Sequence, residues 1–196
     1  MRQHLAKSSP EARPLEGREI LVGVTGGIAA YKAAALVSRL VQAGAGVSVM
    51  MTEHATHFVG PATFQTLTGR PVHQDLWAAP EVYRTEHIAL ADRAHLVVVA
   101  PATANVIGKL ACGIADDLVS TVLLAVKAPV ILAPAMNAAM WQHPAVQANV
   151  ETLRGRGVRF VGPEAGWLAC GTEALGRMAE PEAILAEVIR ALQGNG

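Results

Sequence analysis

Few residues in this chain combine the type and the placement that chemistry needs. The stretch Pro134-Ala135-Met136-Asn137-Ala138-Ala139-Met140-Trp141 follows a strongly apolar run, Val130-Ile131-Leu132-Ala133. It contains no Asp, Glu, Lys or His. It offers one amide, two thioethers and an indole, a set that suits holding a flat, partly apolar ligand and fixing one polar group. Metal binding and proton transfer need other residues. Of the seven histidines, His4 lies near the N-terminus, His54, His57, His73 and His95 have no local partner, and His143 precedes Pro144. His87 opens a helical stretch in Thr85-Glu86-His87-Ile88. Taken alone, that position fits a surface or capping role better than an acid–base role. Cys170, in Ala169-Cys170-Gly171, sits in a glycine-rich segment where a thiol is accessible. Cys112, beside Leu110 and Ala111, reads as a small buried hydrophobe. Arg177 in Gly176-Arg177-Met178 can anchor either an anion or the loop itself. No Ser/His/Asp arrangement and no metal-ligand spacing of Cys and His is evident.

Two turns add binding capacity. Thr25-Gly26-Gly27-Ile28 follows the run Glu19 to Thr25 and opens a helix. Backbone N–H groups and the helix dipole at such a place attract phosphate. Gly23, Gly26 and Gly27 do not have the Gly-x-Gly-x-x-Gly spacing, which disfavours a nicotinamide dinucleotide, although Glu53 ends the second strand where a ribose-binding acid would stand. Pro101-Ala102-Thr103-Ala104-Asn105 opens another helix. Thr103 can cap it, and Asn105 can either reach a ligand or remain part of the cap. Asp116-Asp117 opens a further helix, where acids are favoured by the dipole.

These turns must be positioned by the elements between them. Strands are expected at Glu19–Thr25, Val47–Thr52, Leu96–Ala100, Val130–Ala133 and Val158–Val161, with Val72–Trp77 a strand or an extended stretch. Helices are expected at Ile28–Ala43, Pro61–Thr68, Glu86–Ala94, Thr103–Cys112, Asp117–Val126, Pro144–Arg154 and Pro181–Leu192. Ala78–Thr85 reads as a surface loop and Gly162–Met178 as irregular. Wholly apolar strands alternating with helices call for a parallel sheet covered on both faces. The expected fold is a Rossmann-like (flavodoxin-like) doubly wound α/β sandwich. It comprises a flexible arm over residues 1–17 and one domain over 18–196.

Composition narrows the function classes. Hydrophobic residues make up 52% of the chain and charged ones 16%, so part of the surface is expected to be buried in an oligomer. Sixteen basic and sixteen acidic residues cancel, which argues against nucleic-acid binding. No apolar run approaches the ~18 residues of a membrane span, and the N-terminal stretch has no apolar core of a signal peptide. Two cysteines in different settings form no disulfide framework, so a reducing cytoplasm is the expected location.

In combination the segments are specific. Gly23-Val24-Thr25-Gly26-Gly27-Ile28-Ala29-Ala30-Tyr31-Lys32, Ala100-Pro101-Ala102-Thr103-Ala104-Asn105 with Ile107-Gly108-Lys109-Leu110, Pro134-Ala135-Met136-Asn137 with Met140-Trp141, and Ala169-Cys170-Gly171 with Gly176-Arg177-Met178 occur in one order. They resemble the signatures of the flavin-containing cysteine decarboxylases. The resemblance implies FMN, bound at a subunit interface of a homotrimer or a dodecamer. Carried over by motif, Gly26, Gly27, Ile28, Thr52, Glu53, Thr103, Ala104, Asn105, Val106 and Ala135 hold the flavin. Asn137, Met140 and Arg177 meet the substrate, with Asn137 on its carboxylate. His87 matches the family's catalytic histidine and Cys170 its proton donor.

The implied reaction, in the branch nearest to this chain, converts 4′-phosphopantothenoylcysteine to 4′-phosphopantetheine in coenzyme A biosynthesis. Hydride leaves the cysteinyl Cβ for the flavin, assisted by His87, and the resulting thioaldehyde is an electron sink that lets CO₂ depart. Cys170 protonates the enethiolate, and hydride returns with no net redox change. Two positions depart from the pattern. His95 stands where Asp is common, and Ala174 where glycine is usual, which stiffens the clamp segment. The same resemblance leaves a stand-alone enzyme and a piece of a fused decarboxylase–ligase both open. Two alternatives share the motifs: a peptidyl-cysteine decarboxylase of lantibiotic maturation, disfavoured by Cys170, and a non-enzymatic regulatory flavoprotein, disfavoured by the lack of a long acidic extension.

Overall fold

A computed structural model describes residues 13–77, 86–167, 171 and 173–194. Six strands, β1 (Glu19–Val24), β2 (Gly46–Met51), β3 (Val72–His73), β4 (Leu96–Ala102), β5 (Val130–Pro134) and β6 (Arg159–Phe160), form a parallel sheet in the order β3-β2-β1-β4-β5-β6. The helices are α1 (Ala30–Gln42), α2 (Pro61–Thr68), α3 (Glu86–Arg93), α4 (Ala104–Cys112), α5 (Leu118–Ala125), α6 (Ala138–Gln142), α7 (Pro144–Gly155) and α8 (Pro181–Gln193). The expected three-layer, doubly wound architecture is the one observed.

The strands are apolar throughout because both faces are covered. Ile20, Val22 and Val24 of β1 point into one core with Leu36 and Leu40 of α1, Phe64 of α2 and Ile184 and Val188 of α8. The next residue along, Leu21, points into the other core with Leu90 of α3, Ile107 and Leu110 of α4, Val119 and Val122 of α5 and Leu153 of α7. Period-two alternation thus divides one strand between two apolar layers, which hides it from any polar–apolar pattern. The N-terminal end of the sheet is closed by charge. Arg70 grips Glu19, and its hydrogen bond, working against burial, holds the Glu19 carboxyl below the ordinary glutamate value. His95 Nδ1 accepts from the Glu19 N–H at 2.9 Å.

Four expectations need correction. The arm placed at residues 1–17 is already packed by its end: Leu15 is fully buried in the first core, and its N–H donates to Ala43 O at 3.0 Å. Of Val72–Trp77, only Val72 and His73 pair with β2. Within the segment read as irregular, β7 (Glu164–Trp167) and β8 (Glu173–Arg177) pair antiparallel. Gly162, Gly166 and Gly176 within the stretch conceal the strand pattern. Cys112 is exposed, because Gly113 in the left-handed region ends α4 just after it. The Ala78–Thr85 loop lies outside the described residues.

Candidate functional site

The strand order reverses direction between β1 and β4, so the turns leaving their C-terminal ends diverge and leave a crevice there. The structure opens a cavity of about 1320 Å³ at that place. Its floor is built by three strand-to-helix turns. Thr25, buried, ties two of them together: its Oγ1 donates to Pro101 O at 2.7 Å and accepts from the Thr103 N–H at 3.2 Å. Thr103 in turn caps α4 by accepting from the Val106 N–H. After β2, Thr52 caps the short 3₁₀ turn Glu53–His57 by accepting from the Ala55 N–H. The start of α1 differs, for its N-cap Ala29 supplies no side-chain hydrogen bond. The positive end of that dipole faces the cavity beside Gly26 and Gly27, a setting that favours an anionic group.

Gly26 is needed for space. A Cβ there would lie 2.4 Å from the His54 Cβ, so only glycine lets the first turn pass the 3₁₀ turn. Gly27 would meet nothing closer than Thr103 Cγ2 at 3.8 Å, so its bare backbone faces open cavity.

The Pro134–Trp141 stretch forms the far wall. Asn137 is the N-cap of α6, and its Oδ1 accepts from the Ala139 N–H at 2.8 Å. The turn is held on both sides: the Ala135 N–H donates to Ala102 O at 3.1 Å, and the Met136 N–H donates to Gly176 O at 3.0 Å. A Cβ on Gly176 would lie 2.3 Å from Met136 O, so that glycine permits the β7–β8 hairpin to close against the Asn137 turn. Arg177, next along β8, reaches Glu180 at 3.2 Å and Glu164 at 3.4 Å. Its Nε is buried without a hydrogen-bond partner among the described residues.

Every residue assigned to the cofactor (Gly26, Gly27, Ile28, Thr52, Glu53, Thr103, Ala104, Asn105, Val106 and Ala135), together with Asn137, Met140 and Arg177, lines this one cavity. His87 does not. It is half-buried near the start of α3, which packs on α5. Cys170 lies outside the described residues. Among the described residues no group of three or more His, Cys, Asp and Glu could hold a metal.

Sequence reasoning missed several of the charged lining groups. Lys32, His54, His57, Lys109 and the Asp116–Asp117 pair all face the cavity. Asp117 does cap α5, as expected, through a capping box with Ser120. It also shares Lys109 with Asp116, at 2.8 and 2.6 Å. Burial pulls the Lys109 ammonium toward neutrality, but the two carboxylates outweigh it and hold the pKa above the ordinary lysine value. Burial pushes Asp117 up, and its hydrogen bonds from Lys109 and Ser120 overcome that and leave the carboxyl below its ordinary value. A signal was available: Lys32 stands four residues after Ile28, and Lys109 four after Asn105, one helical turn along the same face. The mouth is apolar, with Ile28, Tyr31, Phe58, Met140 and Trp167 all exposed at the lining.

Comparison with known proteins agrees with this geometry. The family model described as Flavoprotein matches residues 8–193. The coenzyme A biosynthesis bifunctional protein CoaBC of Bacillus subtilis is 54% identical over 171 residues, covering 87% of this chain and 42% of that protein. The protein of the same name from Vibrio cholerae is 48% identical over 172 residues, 88% of this chain and 43% of its own length. The chain thus spans about two fifths of the length of these curated relatives. Among solved structures, the FMN-dependent cysteine decarboxylase SpaF superposes with a TM-score of 0.77 at 32% identity, covering 91% of this chain and 97% of that one. A PPC decarboxylase mutant complexed with pantothenoylaminoethenethiol gives a TM-score of 0.80 at 29% identity, over 87% and 96% of the two chains. With the phosphate-type turn, the capped helices and the Asn137 wall all in one cavity, this chain belongs to the flavoprotein family.

Proposed function

We propose that this chain binds FMN and decarboxylates 4′-phosphopantothenoylcysteine to 4′-phosphopantetheine, a step of coenzyme A biosynthesis. The observation that carries the reading is the convergence of all the described flavin and substrate motifs on one cavity, including the contact between the Asn137 turn and β8. The residues present fit FMN. The uncapped start of α1 and the open backbone at Gly27 suit its phosphate, Thr52, Thr103 and Asn105 offer polar groups, and Ile28, Tyr31 and Met140 offer apolar surface for a flat ring. When bound, FMN supplies a reversible hydride acceptor. The chain's own residues then place the substrate. Asn137 presents an N–H donor to the carboxylate, orienting it without the salt bridge that would oppose its departure. Arg177 meets an anionic group of the substrate. His87, which does not line the cavity of its own chain, takes up the proton that leaves during the oxidation from across the subunit interface of the proposed oligomer, and Cys170 returns one to carbon.

The apolar mouth supports a homo-oligomer, trimer or dodecamer, with the flavin at the subunit interface, because exposed Ile28, Tyr31 and Trp167 gain by being covered. Among the described residues no helix is long and apolar enough to cross a membrane. A cytoplasmic setting suits a reaction whose substrate and product both carry a free thiol.

Cys170→Ser tests the assignment of the proton donor. The variant is expected to release about one CO₂ per bound FMN, leaving the flavin reduced and an enethiol product that lacks two hydrogens, with further turnover only where dioxygen reoxidises the flavin. Mass analysis showing ordinary 4′-phosphopantetheine from that variant would remove Cys170 from the reaction.

A further inference from the structure

Lys32 and Arg177 meet at a single carboxylate oxygen. Lys32 Nζ lies 3.0 Å from Glu180 Oε1, and Arg177 Nη2 lies 3.2 Å from the same atom. Lys32 has the stronger hold. Its side chain is only 11% exposed, against 39% for Arg177, and its ammonium is fixed a second time by donating to Met178 O at 3.2 Å. Its hydrogen bond is the main cause that keeps the Glu180 carboxyl below the ordinary glutamate value, with the charge of Arg177 a lesser one. Arg177 is left underused: its other carboxylate, Glu164, is 3.4 Å away, and among the described residues its buried Nε has no hydrogen-bond partner beneath Gly166, where a Cβ would lie 3.0 Å from that atom. A guanidinium has five N–H donors in a planar fork suited to anionic oxygens.

We propose that Lys32 is a positioning residue for Arg177: by holding Glu180 it keeps the Arg177 guanidinium available for an anionic group of the substrate. The inference rests on the decarboxylase reading above. The link runs from the helix that follows the glycine turn to the strand that closes against Asn137, so one lysine connects the two halves of the cavity. Without Lys32, Glu180 is free to pair fully with Arg177 and competes with the ligand for it.

The test is a double-mutant cycle on the FMN-loaded protein, with the flavin content of each variant measured by absorbance. Lys32→Met is expected to raise KM about tenfold, the equivalent of one charge-assisted hydrogen bond, with kcat within about twofold. Glu180→Gln added to Lys32→Met is expected to bring KM back to within about threefold of the starting value, because the competitor for Arg177 is gone. A double variant no better than Lys32→Met would overturn the proposal, since Lys32 would then act on the ligand or the cofactor directly. Running the cycle with 4′-phosphopantothenoylcysteine and with pantothenoylcysteine distinguishes the source of the anion. An effect confined to the phosphorylated substrate assigns Arg177 to phosphate, an effect on both assigns it to carboxylate, and either pattern upholds the role of Lys32. A readout independent of turnover is the Arg177 Nε–Hε NMR signal in substrate-free protein. It is expected to move in Lys32→Met and return in the double variant, and a signal indifferent to Lys32 contradicts the proposal even where turnover is absent.

Discussion

Asn137→Asp is expected to lower kcat/KM for 4′-phosphopantothenoylcysteine by at least about a hundredfold while leaving the fold intact. The substitution separates the helix cap that Asn137 forms from the substrate contact proposed for it. Its Oδ1 caps α6 through the Ala139 N–H, and aspartate caps a helix as well as asparagine does. Its NH₂ is the donor assigned to the departing carboxylate, and aspartate replaces that donor with a second negative charge. Losing a hydrogen bond to a charged group costs about 1.5–3 kcal/mol, and like-charge repulsion adds to it. A total of about 3 kcal/mol is about two powers of ten in rate. Steady-state kinetics beside a thermal melt check both halves. Unchanged turnover in a normally folded variant would take Asn137 out of the reaction.

Gly26→Ala is expected to weaken FMN binding by roughly a hundredfold or more. The new methyl would lie 2.4 Å from the His54 Cβ and 3.1 Å from the His54 carbonyl carbon, and the second of these is backbone that cannot swing aside. The 3₁₀ turn and its Thr52 cap must move, and with them one wall of the cavity. Gly26 lies beyond the end of β1, so the sheet is spared, and the cost in stability is that of ordinary overpacking, about 1–3 kcal/mol. Gly27→Ala is the comparison. Its methyl clears Thr103 Cγ2 by 3.8 Å, so the fold should tolerate it, and any loss of flavin affinity then reports the close approach of ligand to backbone. Quenching of flavin fluorescence on titration measures both. A Gly26→Ala variant that binds FMN as tightly as the unmodified chain would show that this turn has no part in the flavin site.

Much of the fold was legible because burial on both faces leaves a plain mark. The apolar runs at β1, β4 and β5 and the glycine or proline punctuation between them place strands and helices within one or two residues of where they stand. The turns at Gly26, Thr52, Thr103 and Asn137 share one cavity for a different reason: each follows a strand of the parallel sheet, and a doubly wound sheet delivers all such turns to one edge. Long-range contacts that carry no local pattern were not legible. The β7–β8 hairpin pairs across glycines that interrupt alternation, and its fastening to Met136 depends on the absence of a side chain at Gly176. Leu15 belongs to the core through a contact with the end of α1 that a polar, proline-containing stretch does not announce. Cys112 was misread because an apolar neighbourhood in sequence does not say which side of a helix end faces water. The ionic partners of Lys32 and Lys109 were invisible for the same reason. Glu180 is distant in sequence, and Asp116–Asp117 had already been explained as helix caps.

The most direct measurement is decarboxylation by the FMN-loaded protein, following released CO₂ and the mass of the product together. One CO₂ for each 4′-phosphopantothenoylcysteine consumed is expected, with 4′-phosphopantetheine as product and the flavin oxidised again at the end. Protein that holds FMN yet leaves the substrate intact, under conditions where a known cysteine decarboxylase turns over its own substrate, would contradict the account.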